Sequence, residues 1–311
     1  MNNMQALTRP RKLTAGDRVV VVAPSGPVDK DLLDAGCEIL SAWGLEVTLA
    51  PHVADQHERV AYLAGSDEAR ASDLQQAWCD PSVAAIFCAR GGYGAQRMMD
   101  MVDWSAVAAA EPKVFAGFSD ITALHEAFAN CVGVATLHAP MVAVDSFVYD
   151  AATSEHLRRT LFEPESVLTL SSPTAQTIAN GGGGPVAGVT VGGCVSLLTS
   201  ELATPTGRPN LHGGILLLEQ VGEKAYRLDR DLTHMLRTGW LDGVVGVVLG
   251  SWHDCEPMDD VVVERLGDLG VPIISRFGFG HGDSTQTMPL GVSVTLDPGA
   301  ATLTLDTPAL S

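Results

Sequence analysis

Lys113-Val-Phe-Ala-Gly-Phe-Ser119-Asp-Ile-Thr-Ala-Leu-His125 decides how this chain is read. Residues 114–118 are apolar or small, the pattern of a buried strand, and Ile121, Leu124 and Phe128 then recur on one helical face. Ser119 therefore stands at a tight strand-to-helix turn. Such a turn lifts a hydroxyl clear of the sheet and aims the first free N–H groups of the helix at whatever the hydroxyl attacks. A bare serine hydroxyl is a poor nucleophile, and this placement supplies part of what would activate it. Serine also caps helices at such positions. Because Gly117-Phe-Ser119-Asp-Ile121 lacks the second glycine of the G-x-S-x-G pattern, the segment alone leaves both roles open.

Working outward, the first half alternates strand and helix. Val19-Val-Val-Val-Ala23 is a strand closed by Pro24-Ser-Gly-Pro27, and Leu32, Leu33, Cys37, Leu40 and Trp43 then follow helical spacing up to Gly44. Strands are predicted over 45–49 and 83–89, a polar-rich helix over 67–79, a helical turn over 95–101 and another strand over 134–137. Repeated β-α units with wholly apolar strands indicate a parallel sheet covered on both faces. From 151 to 185 the pattern gives way to Ser171-Ser-Pro-Thr174 and Asn180-Gly-Gly-Gly-Gly-Pro185, the composition of a connector. Beyond it, helices are expected over 193–202 and 226–240, strands over 214–218, 244–249 and 271–275, and a terminal hairpin turning at Asp297-Pro-Gly-Ala300. The expected class is α/β: a domain over 1–150 carrying the serine, a connector over 151–185, and a smaller α/β domain over 186–311.

Composition narrows the setting. The 311 residues suffice for two domains, and 46% hydrophobic with 18% charged residues is a globular composition. Nineteen basic against 37 acidic side chains give a net charge of −18, which disfavours nucleic acid and anionic membranes as partners. The six cysteines form no C-x-x-C pair, and Cys88 lies inside an apolar run, so they read as buried small hydrophobes in a reducing compartment. The basic N-terminus is followed by only a short apolar run, unlike a signal peptide, and no stretch approaches the roughly 18 apolar residues of a membrane span. A cytoplasmic protein is expected.

A serine nucleophile needs a base, and the base needs an orienting carboxylate. Of nine histidines, His125 reads as a helix-face or core residue, His138 ends a strand and could line a cleft, and His52, His57, His156, His212 and His234 lie in solvated contexts. His281 stands in Gly278-Phe-Gly-His-Gly-Asp-Ser284, where glycines let the backbone bend closely around a pocket, although a histidine in a mobile loop would look the same. Glu219 ends the run Gly214-Ile-Leu-Leu-Leu-Glu219, and an acid at the carboxyl end of a buried strand points towards the ligand crevice of an open α/β sheet. It ranks above Glu223 and Asp283 because a strand end is rigid. Arg90-Gly-Gly-Tyr-Gly94 could turn a backbone N–H of Gly91 or Gly92 towards an oxyanion, complementing the N–H of Asp120. This run is not the G-x-G-x-x-G of a dinucleotide site, and neither Gly181 to Gly184 nor Trp252-His-Asp-Cys-Glu256 has the context of a phosphate cradle or a metal centre. No metal and no cofactor are expected.

Seven segments in order, Val22-Ala-Pro-Ser-Gly26, Ala89-Arg-Gly-Gly-Tyr-Gly94, Ala116-Gly-Phe-Ser-Asp-Ile-Thr122, Leu137-His-Ala-Pro-Met141, Gly192-Gly-Cys-Val-Ser196, the run from Leu218 to Asp229, and Gly280-His-Gly-Asp-Ser284, resemble the L,D-carboxypeptidase family of serine peptidases, a group that includes the microcin C immunity peptidases. The likeness runs from near Leu13 to near Leu296. It implies a flavodoxin-like first sheet, a barrel-like second sheet, and a Ser-Glu-His triad carried onto Ser119, Glu219 and His281 at the seam between them. Gln220 departs from the family's usual acid, and Ala139 replaces a common glycine. The implied reaction is acyl transfer from the L,D-amide bond before a terminal D-amino acid of a murein tetrapeptide. Arg90 is the candidate for the substrate carboxylate. A small peptide is thus the expected partner, with a homodimer as the candidate assembly. An immunity peptidase acting on aminoacyl nucleotides, and a non-catalytic two-domain peptide-binding protein, are the alternative readings.

Overall fold

The computed structural model describes residues 3–311. Its strands, in chain order, are β1 (Arg18–Val22), β2 (Glu46–Leu49), β3 (Val83–Cys88), β4 (Val114–Gly117) and β5 (Thr136–His138) in the first half. They are followed by β6 (Thr169–Leu170), β7 (Gln176–Asn180), β8 (Val186–Cys194), β9 (Gly214–Val221), β10 (Gly246–His253) and β11 (Pro272–Ser275). The chain ends with β12 (Met288–Leu290), β13 (Ser293–Asp297) and β14 (Thr302–Leu305).

Strand β1 shows why the first sheet reads as apolar throughout. Val19 and Val21 pack into one core with Leu33 and Leu40 of the helix Lys30–Ala42, while Val20 and Val22 pack into another with Leu74 and Trp78 of the helix Asp67–Cys79. With both faces covered, the four residues after the half-buried Arg18 at the strand's start are all valine. Strands β2, β1, β3, β4 and β5 run parallel in that spatial order, and β12 adds an antiparallel edge. The order 2-1-3-4-5 is the flavodoxin arrangement, whose ligand crevice opens beyond the carboxyl ends of the strands where the order reverses, between β1 and β3. Pro24–Pro27, Arg90–Gly94 and Ser119 all follow those ends.

The second sheet has the order β6-β14-β13-β8-β9-β10-β11-β7, parallel from β8 to β11 and antiparallel outside them. Its edge strands β6 and β7 are joined by residues 171–175 alone. Six peptide steps reach about 22 Å, whereas a flat sheet of eight strands would hold its edges about 34 Å apart. The sheet therefore curls into a half-barrel. Along β9, Ile215 and Leu217 enter the core that also contains Val19, Val21 and Phe87 of the first sheet, while Leu216 and Leu218 pack under Leu228, Leu232 and Met235 of the helix Ala225–Arg237. Strand parity thus places Glu219 on the face shared with the first sheet.

The segment 151–185, read from composition as a connector, is structured. It holds the helix Ala151–Phe162, capped by the Asp150 carboxylate, together with both edge strands of the half-barrel. Strand β12 lies in the second half of the chain yet pairs with β5, stitching the two sheets together.

Candidate active site

Ser119 is the one residue at the β4 turn with a strained backbone. Its φ is 65°, in the left-handed region that costs a side-chain-bearing residue about 1–2 kcal/mol. Strain of this kind persists only where surrounding packing enforces it. Here Gly91 opposite the turn permits the close approach, since a Cβ on Gly91 would lie 2.9 Å from Ser119 Cβ and 3.1 Å from Ser119 Oγ. Beneath the turn, the buried Asp120 carboxylate accepts hydrogen bonds from Ser25 Oγ at 2.6 Å and from the Ala95 N–H at 2.8 Å. This ties the loops after β1 and β3 to the elbow. Burial pushes the Asp120 carboxyl above its ordinary range.

Two distant segments meet the serine hydroxyl. His281 Nε2 lies 3.1 Å from Ser119 Oγ, and His281 Nδ1 lies 2.6 Å from Glu219 Oε2. The same carboxylate oxygen accepts the His281 backbone N–H at 3.3 Å. Glu219 is fully buried, while the His281 side chain is 18% exposed, so the imidazole separates a dry acid from an accessible hydroxyl. Gly280 permits this approach: its φ is 93°, and a Cβ there would stand 2.7 Å from Glu219 Cβ, Cγ and Oε2. Phe118 lies against the His281 ring at a centroid distance of 4.8 Å. An open cleft of about 560 Å³ begins at Phe118 and His281 and is bounded by Val144, Tyr149, His253 and Asp283. A cavity of about 600 Å³ beside Trp252, Met258 and Arg276 includes neither the serine nor the histidine.

The remaining candidates fall into different roles. Gly91 and Asp120 flank the serine, with the position of a Gly91 Cβ 3.4 Å from Asp120 N. Gly92 has a φ of 105° and packs over Gly26. Arg90 is exposed and donates to the Pro27 carbonyl at 2.9 Å, bracing the glycine loop against the loop after β1. His125 is a core residue, as read from its helix, with Nε2 at 2.9 Å from the Gly117 carbonyl. Burial lowers its pKa to about 3. His138 does not line the cleft; it is buried beneath Glu219, and desolvation lowers its pKa to about 4. Histidines expected in solvent have partners: His52 Nδ1 lies 2.8 Å from Asp73, His57 Nδ1 accepts the Arg59 and Val60 N–H groups at 3.2 Å, and His156 Nδ1 accepts the Thr287 N–H at 3.2 Å. Gln220, where an acid is usual, binds Ser196 N and Cys194 Sγ through Oε1 and so ties β9 to the start of the helix Val195–Glu201. Among the described residues, no group of three or more His, Cys, Asp or Glu side chains converges as metal ligands would, and no helix is long and apolar enough to cross a membrane.

Comparison with known proteins agrees with this architecture. Residues 19–139 match the model of the LD-carboxypeptidase N-terminal domain, and residues 187–296 match that of the C-terminal domain. A putative carboxypeptidase of Streptomyces coelicolor is 54% identical, with 99% of each chain covered. The murein tetrapeptide carboxypeptidase of Pseudomonas aeruginosa is 30% identical, over 90% of this chain and 93% of its own. Among solved structures, the microcin C7 self immunity protein MccF superposes with a TM-score of 0.86 at 20% identity, covering 98% of this chain and 100% of that one. The muramoyltetrapeptide carboxypeptidase from Oxalobacter formigenes superposes with a TM-score of 0.79 at 25% identity, covering 94% and 99%. The chain belongs to the LD-carboxypeptidase family of serine carboxypeptidases.

Proposed function

We propose that the protein is an L,D-carboxypeptidase that removes the terminal D-amino acid from murein tetrapeptides, in peptidoglycan recycling, with Ser119, His281 and Glu219 as its triad. The observation that carries this reading is the unbroken line from a strained serine hydroxyl through one imidazole to a buried carboxylate, at 3.1 and 2.6 Å. Ser119 Oγ attacks the carbonyl of the L-configured centre while His281 Nε2 takes its proton. The tetrahedral oxyanion is held by the N–H groups of Asp120 and of Gly91 or Gly92, each worth about 3 kcal/mol of barrier. His281 then protonates the departing amine of the D-amino acid, and water, deprotonated by the same imidazole, releases the acyl group from Ser119. Glu219 holds the Nδ1–H tautomer and stabilises the imidazolium. Arg90, with one N–H on Pro27, keeps further donors for the carboxylate of the terminal residue. Six free thiols fit a reducing, cytoplasmic setting.

Relatives at 30% identity and above bear carboxypeptidase names, two of them murein-specific, which favours the murein substrate over an aminoacyl nucleotide. The test is incubation with peptides ending in an L,D or an L,L bond and with an aminoacyl sulfamoyl adenosine, products being read by mass spectrometry. Release of D-alanine from the L,D series alone is expected. Cleavage confined to the L,L peptides or to the nucleotide would refute the assignment.

A further inference from the structure

Glu219 has two carboxylate oxygens, and the relay uses one. Oε2 receives both contacts from His281, whereas Oε1 is buried without a hydrogen-bond partner. A charged oxygen left bare in a dry interior is costly. Facing Oε1 at 4.0 Å is Nε2 of His138, and both ring nitrogens of His138 are themselves buried and unpartnered. A ring nitrogen able to donate and an anionic acceptor, each lacking a hydrogen-bond partner, thus face one another across a gap about 1 Å longer than a hydrogen bond.

The position of His138 is set by the fold. It ends β5, in register with Gly117 of β4 on one side and Met288 of β12 on the other. Its ring lies 5.6 Å from each of the Phe118 and Phe279 rings, and Phe118 in turn packs on His281. The titratable groups around it are Glu219 from β9, His281 from the loop after β11, and His125 from the helix Thr122–Ala127, whose ring is 6.5 Å away.

We infer that His138 is a positioning residue: its Nε2–H donates to Glu219 Oε1 and fixes the plane of the carboxylate against His281 as the imidazolium forms. This rests on the reading of Glu219 as the orienting acid. Burial keeps the His138 ring uncharged at neutral pH, so it supplies a hydrogen bond without competing for the charge that Glu219 owes to His281.

Two substitutions separate the N–H from the ring. His138→Phe keeps an aromatic shape between Phe118 and Phe279 and loses the donor; His138→Gln keeps an N–H of similar reach and loses the ring. His138→Phe is expected to lower kcat on an L,D tetrapeptide about 10- to 100-fold with KM little changed. The acid limb of its kcat/KM profile should move to higher pH, because a bare carboxylate draws a proton onto the Glu219–His281 pair. His138→Gln should recover most of the rate and the profile. Full activity in His138→Phe, or loss in His138→Gln alone, would mean that the residue only packs. The wild-type protein gives an answer independent of variant folding: with ¹⁵N-labelled histidine, the His138 ring should be neutral and protonated at Nε2, and protonation at Nδ1 instead overturns the inference. Wild-type turnover in Glu219→Ala would remove the underlying assignment of Glu219 while leaving the His138 tautomer as measured, so the two failures are distinguishable.

Discussion

Gly280→Ala puts the approach of His281 to Glu219 under direct test. The new Cβ would stand 2.7 Å from three atoms of Glu219, and ordinary contact begins near 3.4 Å, so loop or carboxylate must move by about 0.7 Å. Glu219 has little freedom to yield, being fully buried with Oε2 held by His281. A shift of this order between base and nucleophile costs about 100-fold in rate. The left-handed φ adds about 1–2 kcal/mol of strain and the forced contact about 1–3, for a total loss of about 2–5 kcal/mol in stability. Gly282→Ala is the control: its φ is 150°, but nothing lies nearer than 4.0 Å to the added Cβ. The assay is kcat/KM on an L,D tetrapeptide together with urea unfolding of both variants. Gly280→Ala should lose about 100-fold in kcat/KM, and Gly282→Ala less than about 10-fold with a stability loss of about 1–2 kcal/mol. Equal rate losses in the two variants, or a Gly280→Ala enzyme within about threefold of wild type, would refute the steric argument.

At position 119, Ser119→Gly and Ser119→Ala should both abolish turnover. The glycine variant should nevertheless be the more stable by about 0.5–1 kcal/mol, because relief of the left-handed strain exceeds the entropy that glycine gains in the unfolded chain; equal stabilities in urea would remove strain from the account of the turn. Arg90→Ala should raise KM for a peptide with a free terminal carboxylate and leave KM for its amide unchanged, with unchanged kcat/KM on the acid counting against Arg90 as the anchor. For pH, the folded pKa values of His125 and His138, about 3 and about 4, lie below the ordinary 6.5. Between those values the unfolded chain binds more protons than the native one, so stability falls as pH drops, by about 3 kcal/mol from pH 6.5 to about 5 for the two groups together. Burial lowers the His156 pKa to about 4 as well, so this histidine adds to the same slope. Urea unfolding at the two pH values, repeated in His125→Phe, should show a stability change smaller by about 1.5 kcal/mol in the variant; an unchanged slope would mean that His125 is not a source.

Where the sequence was legible, one local cause dominated. Strands β1, β3 and β4 are buried on both faces and therefore read as unbroken apolar runs, and the turn at Ser119 announced itself by the switch from strand to helix period. Glu219 and His281 were legible because one ends such a run and the other sits between glycines. Strand β8 was not, because Gly188, Gly192 and Gly193 dilute its pattern. Those glycines answer to contacts from elsewhere: a Cβ on Gly192 would fall 1.9 Å from the Leu217 carbonyl oxygen, and one on Gly193 2.4 Å from Thr122 Oγ1. Strand β12 is three residues with a central proline, and only its pairing with β5, some 150 residues away in the chain, makes it a strand. The helix Ala151–Phe162 did carry signals, the Asp150 cap and the Leu157–Leu161 pair, but its polar face gave it the look of a connector. The burial of His138 had no local signature, since a strand-end histidine reads the same whether cleft or core lies beyond it.

The most direct measurement is intact-protein and peptide mass spectrometry after exposure to a fluorophosphonate, which reacts with a serine hydroxyl only when a neighbouring base activates it. The account predicts a single adduct on Ser119 in the wild-type protein, strongly slowed in His281→Ala and absent in Ser119→Ala. Labelling that proceeds at the wild-type rate without His281, or that falls on another serine, would contradict it.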